Sequence, residues 1–139
     1  GLGCTPARTT ILDVSIEELA HAAGVGFTTI YGRAEDLDPT ARYDGVLCVQ
    51  TIDHLTDPLT MLRRVQQVLT PGGWFYVDMV DHLCWCSAVA GKLAYKVDHP
   101  INWSRSAFHR ALTTTGWRVR GTLLSNLGIH YGVLCTRKD

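Results

Sequence analysis

The stretch Tyr43–His82, YDGVLCVQTIDHLTDPLTMLRRVQQVLTPGGWFYVDMVDH, decides the fold. It opens on an apolar run, Val46 to Val49, whose continuity suits a strand buried on both faces of a parallel sheet. A polar cluster follows. Asp57 then stands where a helix cap belongs, and Pro58 stands at the first helical position, where a missing N–H does no harm. Leu59, Leu62, Val65 and Leu69 recur at spacings of three or four, with Arg63, Arg64, Gln66 and Gln67 on the other side. Thr-Pro-Gly-Gly ends the helix, and a glycine there supplies the positive φ of a tight turn. Trp74–Val80 reads as a second apolar strand. Two parallel strands joined by a helix form a right-handed crossover unit, and ligands of open α/β sheets sit beyond the carboxyl ends of the strands. The polar residues after Val49 and after Val80 lie at those ends.

Similar logic orders the flanking residues. TTILDV reads as a strand ending near Asp13. The next helix is capped by a Ser15/Glu18 capping box, puts Ile16, Leu19 and Ala23 on one face, and stops at Gly24. FTTIYG is another strand and RAEDLDPTAR a polar loop. After the central unit, WCSAVAGKLAYK reads as a short helix or lid. SRSAFHRALTTTG is a helix with Ala107, Phe108, Ala111 and Leu112 on one face and Gly116 as its stop. WRVRGTLLS and HYGVLCTR are two final strands, paired through a turn at Asn126 to Ile129.

The 139 residues predict a single domain, 1–139. With 46% apolar residues there is material for a packed core, and a formal net charge of zero favours neither nucleic acid nor an anionic membrane as partner. No apolar run reaches membrane-spanning length, and the N-terminus lacks a signal-peptide core. The five cysteines are odd in number and irregular in spacing, so they read as reduced thiols of a cytoplasmic protein. Cys84 and Cys86 with His82 make only a weak metal pattern, and no metal is expected.

In order along the chain, these segments resemble the class I S-adenosylmethionine-dependent methyltransferases of the small-molecule type. VLTPGGWFYV resembles that family's turn into its fifth strand, and DGVLCVQTIDHLTDPLTML its fourth strand, loop and helix. ILDVSIEELAHAA resembles the second strand with its terminal acid, GRAEDL the adenine-side loop, and HPINWSRSAFHRALTTTGWRV the late helix and sixth strand. The resemblance covers residues 9 to 139. It implies a three-layer Rossmann-like α/β fold, mostly parallel, with an antiparallel last strand.

The front departs from the pattern. The family opens with a strand, a glycine-rich loop and a helix, and in the related dinucleotide fingerprint glycine and acid stand about 20 residues apart. Here Gly3 is ten residues before Asp13. The resemblance therefore implies a domain that is N-terminally truncated or internally shortened, lacking the first strand and first helix, with Gly1 and Gly3 as the remnant of the cofactor loop, unless Gly-Leu-Gly is not that loop and both are terminal glycines. A sheet without that strand must close up, split or borrow a strand from another chain, and its donor site should be weak. A homo-oligomer or a partner chain covering the sheet follows as an expectation.

The resemblance also implies roles. The cofactor would be S-adenosyl-L-methionine and the acceptor an unidentified small molecule. Asp13 would accept hydrogen bonds from ribose, Ala34 and Glu35 would border adenine, and Val49, Gln50 and Thr51 would line the methionine end. Relatives carry an acid where Arg33 stands. His54 and His82 are the candidate general bases, since imidazole is the side chain whose ordinary pKa lies near neutrality. Asp81, Tyr95 and His99 would contact the acceptor. His21, His109 and His130 read as surface or packing residues, and Trp85 and Trp103 as core. Two other readings remain open: a non-catalytic relic of the fold serving as a partner-binding subunit, and a nicotinamide-binding domain suggested by Gly-Leu-Gly and Asp13 but disfavoured by LTPGG.

Overall fold

A computed structural model describes residues 5–81, 101–125 and 130–138, and the chain divides into two compact units, Gly1–Leu37 and Asp38–Asp139. The expected turn at 126–129 and the expected lid helix over 85–96 lie outside the described residues.

In the first unit, β1 (Thr10–Asp13) and β2 (Thr28–Tyr31) pair in parallel, with Thr10 opposite Thr28 and Asp13 opposite Tyr31. Helix α1 (Ile16–Gly24) joins them and buries Leu19. The capping box is half formed. The Glu18 N–H donates to Ser15 Oγ (3.2 Å), but the Ser15 N–H donates to Asp13 Oδ1 (2.8 Å). The acid at the strand end thus replaces Glu18 as the second arm of the cap. Gly24 is the last helical residue rather than the stop, and the positive φ falls two residues later, at Gly26.

In the second unit, β3 (Tyr43–Cys48), β4 (Leu69–Val80), β5 (Trp117–Ser125) and β6 (His130–Arg137) form a sheet in the order β3-β4-β6-β5. β3 and β4 are parallel neighbours, as the crossover pattern requires, and β6 runs antiparallel to both β4 and β5. The strands are hydrogen-bonded in two sets, one per unit. α2 (Pro58–Val68) starts as read from sequence: the Thr60 N–H donates to Asp57 Oδ1 (3.0 Å) and the Thr60 hydroxyl to Asp57 Oδ2 (2.6 Å). α3 (Arg105–Thr114) is capped by Ser104 and ends before Gly116, whose φ is +87°.

The Thr-Pro-Gly-Gly turn is built into β4 itself. Tyr43 pairs with Leu69 and Gly45 with Trp74, so the surplus residues of β4 bulge out between those two pairs. Gly72 supplies the positive φ there (+79°), where a residue with a Cβ would be strained.

Phe75, Val77 and Met79 of β4 and Val133 and Cys135 of β6 are buried on one sheet face, with Met61, Leu62, Val65 and Val68 of α2 and Phe108, Ala111 and Leu112 of α3. Trp117 sits centrally. It is fully buried, its ring centroid is 4.8 Å from that of Phe75, and its indole N–H donates to the Leu62 carbonyl (3.2 Å). Leu59 and Ala107, placed on the buried stripes by their spacing, are exposed instead.

The apolar run of β3 is not buried on both faces. Leu47 is 51% exposed and Val49 52%, because β3 lies at the edge of this sheet and the core face of β4 is the one carrying Phe75 and Val77. Leu47 pairs with Tyr76, on the opposite face.

Gly45 shows how tightly β3 meets β4. A Cβ there would collide with the Trp74 indole, its cross-strand partner. Gly45→Ala should lower stability in urea denaturation by about 1–3 kcal/mol, the usual cost of overpacking. Adding Trp74→Ala should recover part of that loss, with a coupling of about 0.5 kcal/mol or more. Simple additivity of the two changes would show that the contact is not formed.

Candidate functional site

The carboxyl ends of β3 and β4 are tied to each other twice. β3 ends at Cys48, and the chain then enters the left-handed region at Gln50, φ +49°. That conformation costs a non-glycine residue about 1–2 kcal/mol. It is held by Asp78 of β4, a buried carboxylate whose Oδ1 accepts the Gln50 N–H at 2.6 Å. A hydrogen bond to a charged group contributes about 1.5–3 kcal/mol, enough to offset the strain. The second tie runs the other way. Ile52–His54 form a 3-10 turn, and Asp53, 1% exposed, accepts the Val80 N–H on Oδ2 (2.9 Å). Its own carbonyl accepts the Ile101 N–H (3.3 Å), fixing the chain on its way into α3. Each tie spends a buried carboxylate on a backbone amide, so the edge is set before any ligand arrives.

Between the two ties the chain presents Val49 and Gln50, both exposed, and Thr51, half-buried. The Thr51 hydroxyl donates to the Val49 carbonyl (2.8 Å), leaving that oxygen one further lone pair. His54 lies at the end of the 3-10 turn, exposed.

Beyond β4, Asp81 is buried, and its Oδ2 accepts from Arg105 Nε of α3 (2.6 Å). The Arg105 guanidinium lies 4.9 Å above the centroid of the Tyr131 ring of β6, and the Tyr131 hydroxyl is 2.6 Å from His109 Nε2. Burial holds the Tyr131 phenol above its usual pKa, with Asp81 adding to the rise and Arg105 opposing it. The phenol therefore keeps its proton at neutral pH, and one hydrogen bond joins its oxygen to His109 Nε2.

In the first unit, Asp13 closes β1. Its Oδ1 is taken by the Ser15 N–H, and Oδ2 makes no hydrogen bond among the described residues. A 3-10 turn, Ala34–Asp36, follows β2, with Ala34 half-buried and Glu35 buried; Arg33 Nη2 pairs with Glu35 Oε1 at 3.0 Å. The pairing gives Arg33 a structural partner.

The candidates among the described residues can thus be placed. Asp13 ends β1, Ala34 and Glu35 follow β2, and Val49, Gln50, Thr51, His54 and Asp81 follow strands of the second unit. Gly1, Gly3, His82, Tyr95 and His99 lie outside the described residues, as do Trp85, Cys84 and Cys86. Trp103 is a core residue, packed edge-on against Phe108 with ring centroids 5.8 Å apart. His109 is more than a packing residue, because it braces Tyr131. Asp78 and Arg105 escaped the sequence reading. Asp78 is a polar residue inside an apolar strand, which is the signal that could have revealed it.

A family model described as "Methyltransferase domain" matches residues 7–123. The chain belongs to the methyltransferase-domain family. A ubiquinone biosynthesis O-methyltransferase from Serratia proteamaculans is 29% identical over 140 residues, covering 90% of this chain and 57% of that protein. Another of the same name, from Leptothrix cholodnii, is 30% identical over 57 residues, or 41% of this chain and 24% of the relative. The chain thus spans about half or less of these methyltransferases. Among solved structures, an S-adenosylmethionine-dependent methyltransferase from Thermotoga maritima has a TM-score of 0.76 at 22% identity, covering 94% of this chain and 73% of that one. Magnesium protoporphyrin IX methyltransferase from Synechocystis, solved with bound S-adenosylhomocysteine, has a TM-score of 0.74 at 12% identity, covering 93% of this chain and 64% of that one. At such identities the likeness is one of fold, and the methyltransferase fold is α/β and Rossmann-like, as the sequence implied.

Burial disfavours the thiolate form of Cys48 and Cys135. Burial pushes Cys48 up to about 12, with Asp78 adding to the rise, and burial alone pushes Cys135 to about 12. Thiolate is the reactive form. Treatment with a thiol-specific aromatic disulfide at pH 8, followed by peptide mapping, should leave Cys48 and Cys135 unmodified in the native protein and label both in denaturant. Prompt native labelling of Cys48 would mean that the β3 end is open.

Proposed function

We propose that this chain is the core of an S-adenosylmethionine-dependent methyltransferase that methylates an oxygen atom of a small molecule. The observation that carries the reading is the preorganised carboxyl edge of the second unit, where two buried carboxylates hold the loop after β3 in a fixed left-handed turn. Membership of the methyltransferase-domain family supports the activity, and the similarity to ubiquinone biosynthesis O-methyltransferases supports oxygen as the acceptor atom.

The residues present suit the cofactor. Asp13 has one carboxylate oxygen committed to the Ser15 amide and one available, which suits a ribose hydroxyl. Ala34 and Glu35 border adenine, Ala34 through its backbone. Val49, Gln50 and Thr51 offer backbone carbonyls to the methionine ammonium. Gly1 and Gly3 are assigned to the same cofactor. Bound S-adenosylmethionine supplies a methyl group already activated on sulfur. The protein's share is alignment, exclusion of water and removal of a proton. His54, exposed beside the fixed turn, is the proposed base that takes the acceptor's hydroxyl proton, and His82 is the second candidate for that role. Asp81, Tyr95 and His99 are assigned to the acceptor.

Calorimetric titration with S-adenosylhomocysteine tests the donor site without needing the acceptor. Saturable 1:1 binding is expected at concentrations up to the order of a millimolar, about 4 kcal/mol. Asp13→Ala should weaken it by about tenfold or more, the worth of about 1.4 kcal/mol. Equal binding by the Asp13→Ala chain would remove Asp13 from the site, and no heat at several times that concentration would contradict the reading for this chain.

A further inference from the structure

Arg105 is placed against its local preference. It is the first residue of α3, where the helix dipole disfavours a cation. A buried carboxylate one residue past β4 holds it there: Asp81 Oδ2 accepts from Arg105 Nε at 2.6 Å, with the Asp81 side chain 6% exposed. The face of the guanidinium rests on the Tyr131 ring, and Tyr131 is braced in turn by His109. The planar group is thereby held by two side chains, Asp81 at Nε and the Tyr131 ring at its face, with His109 steadying the ring. Nε is spent on Asp81. Nη1 and Nη2 make no hydrogen bond among the described residues, and the Arg105 side chain remains 43% exposed. A pinned guanidinium with its terminal pair of N–H groups open presents two parallel donors, the geometry that matches a carboxylate.

We infer that Arg105 recognises a carboxylate on the methyl acceptor, so that the substrate class is a small hydroxylated acid. This rests on the methyltransferase reading above. Its position follows from the fold: Asp81 leaves the carboxyl end of β4, next to the strand whose end carries Gln50 and Thr51, and that edge is where an α/β sheet takes its ligand. Asp81 already balances the charge of Arg105, so what the site offers is a directional pair of N–H donors, and a carboxylate with a single charge fits it better than a dianion. Asp81 stands at the Nε side of the same guanidinium, and its charge would repel the second negative charge of a phosphate monoester. An aliphatic ammonium is disfavoured by its like charge and offers no acceptor to the two N–H groups.

The probes are 3,4-dihydroxybenzoate and its neutral, near-isosteric amide, 3,4-dihydroxybenzamide, with phenyl phosphate as a third arm. Binding is measured by calorimetric titration in the full chain and its variants, with and without S-adenosylhomocysteine, and two-dimensional NMR follows the Arg105 Nε–Hε signal in the unsubstituted chain. The acid should bind about tenfold or more tighter than the amide and tighter than phenyl phosphate, with the Arg105 signal moving in step. Arg105→Gln should abolish that preference. Arg105→Lys, which keeps a cation beside Asp81 but lacks the second pair of donors, should lose most of it while remaining folded by circular dichroism. Equal binding of acid and amide, no binding of the acid, tighter binding of phenyl phosphate, or a preference that survives in folded Arg105→Lys would each overturn the assignment. S-adenosylhomocysteine binding, read separately, reports on the donor site alone. A chain that binds it but shows no acid preference refutes only the role of Arg105.

Discussion

The second unit depends on a short hydrogen bond between the Gln50 amide and the Asp78 carboxylate. A strand that ends at a sheet edge has no reason to turn sharply into a left-handed residue. Asp78 gives it one, by offering a buried charge that would otherwise be costly to leave in the sheet. Strain at Gln50 and burial of Asp78 are two unfavourable terms, and one bond compensates both. Asp53 repeats the device in reverse, feeding its carboxylate to the Val80 amide. The loop after β3 is therefore anchored at both ends to β4, and Val49, Gln50 and Thr51 are displayed rather than buried. A group that must align a donor and an acceptor benefits from such fixed backbone, because ordering it on binding would cost about 1–2 kcal/mol per residue.

Much of the surrounding structure was legible in the sequence because its causes are local. Asp57 and Pro58 start α2, Ser104 starts α3, and Gly72 and Gly116 adopt the positive φ expected of them. The parallel pairing of β3 with β4 follows from a helix of crossover length between two apolar runs. Local pattern also misled. Four consecutive apolar residues suggested burial on both faces of β3, yet composition does not record which face a helix covers, and Leu47 is left exposed. The Ser15/Glu18 spacing suggested a reciprocal box, yet Asp13 was closer to the Ser15 amide and took it.

The site was legible only in part, for a physical reason. Positions at strand ends can be counted, so Asp13, Glu35, Gln50 and Asp81 could be named in advance. Contacts between distant segments cannot be counted. Asp78 reaches Gln50 across 28 residues, and Arg105 reaches Asp81 across 24. Tyr131 joins β6 to α3 through His109, a histidine with no motif around it. Such partners depend on which strands become neighbours, and the order β3-β4-β6-β5 has to be known before Tyr131 can be set beside Arg105.

The central claim is that the Asp78 bond, rather than the Gln50 side chain, shapes the donor site. The decisive measurement is the affinity for S-adenosylhomocysteine of Asp78→Ala set beside that of Gln50→Ala, each checked for a native circular dichroism spectrum. Asp78→Ala should lose about tenfold or more, the worth of one charge-assisted hydrogen bond. Gln50→Ala, which keeps the amide and its bond to Asp78, should change the affinity by less than about threefold. A folded Asp78→Ala chain with undiminished affinity would contradict the account.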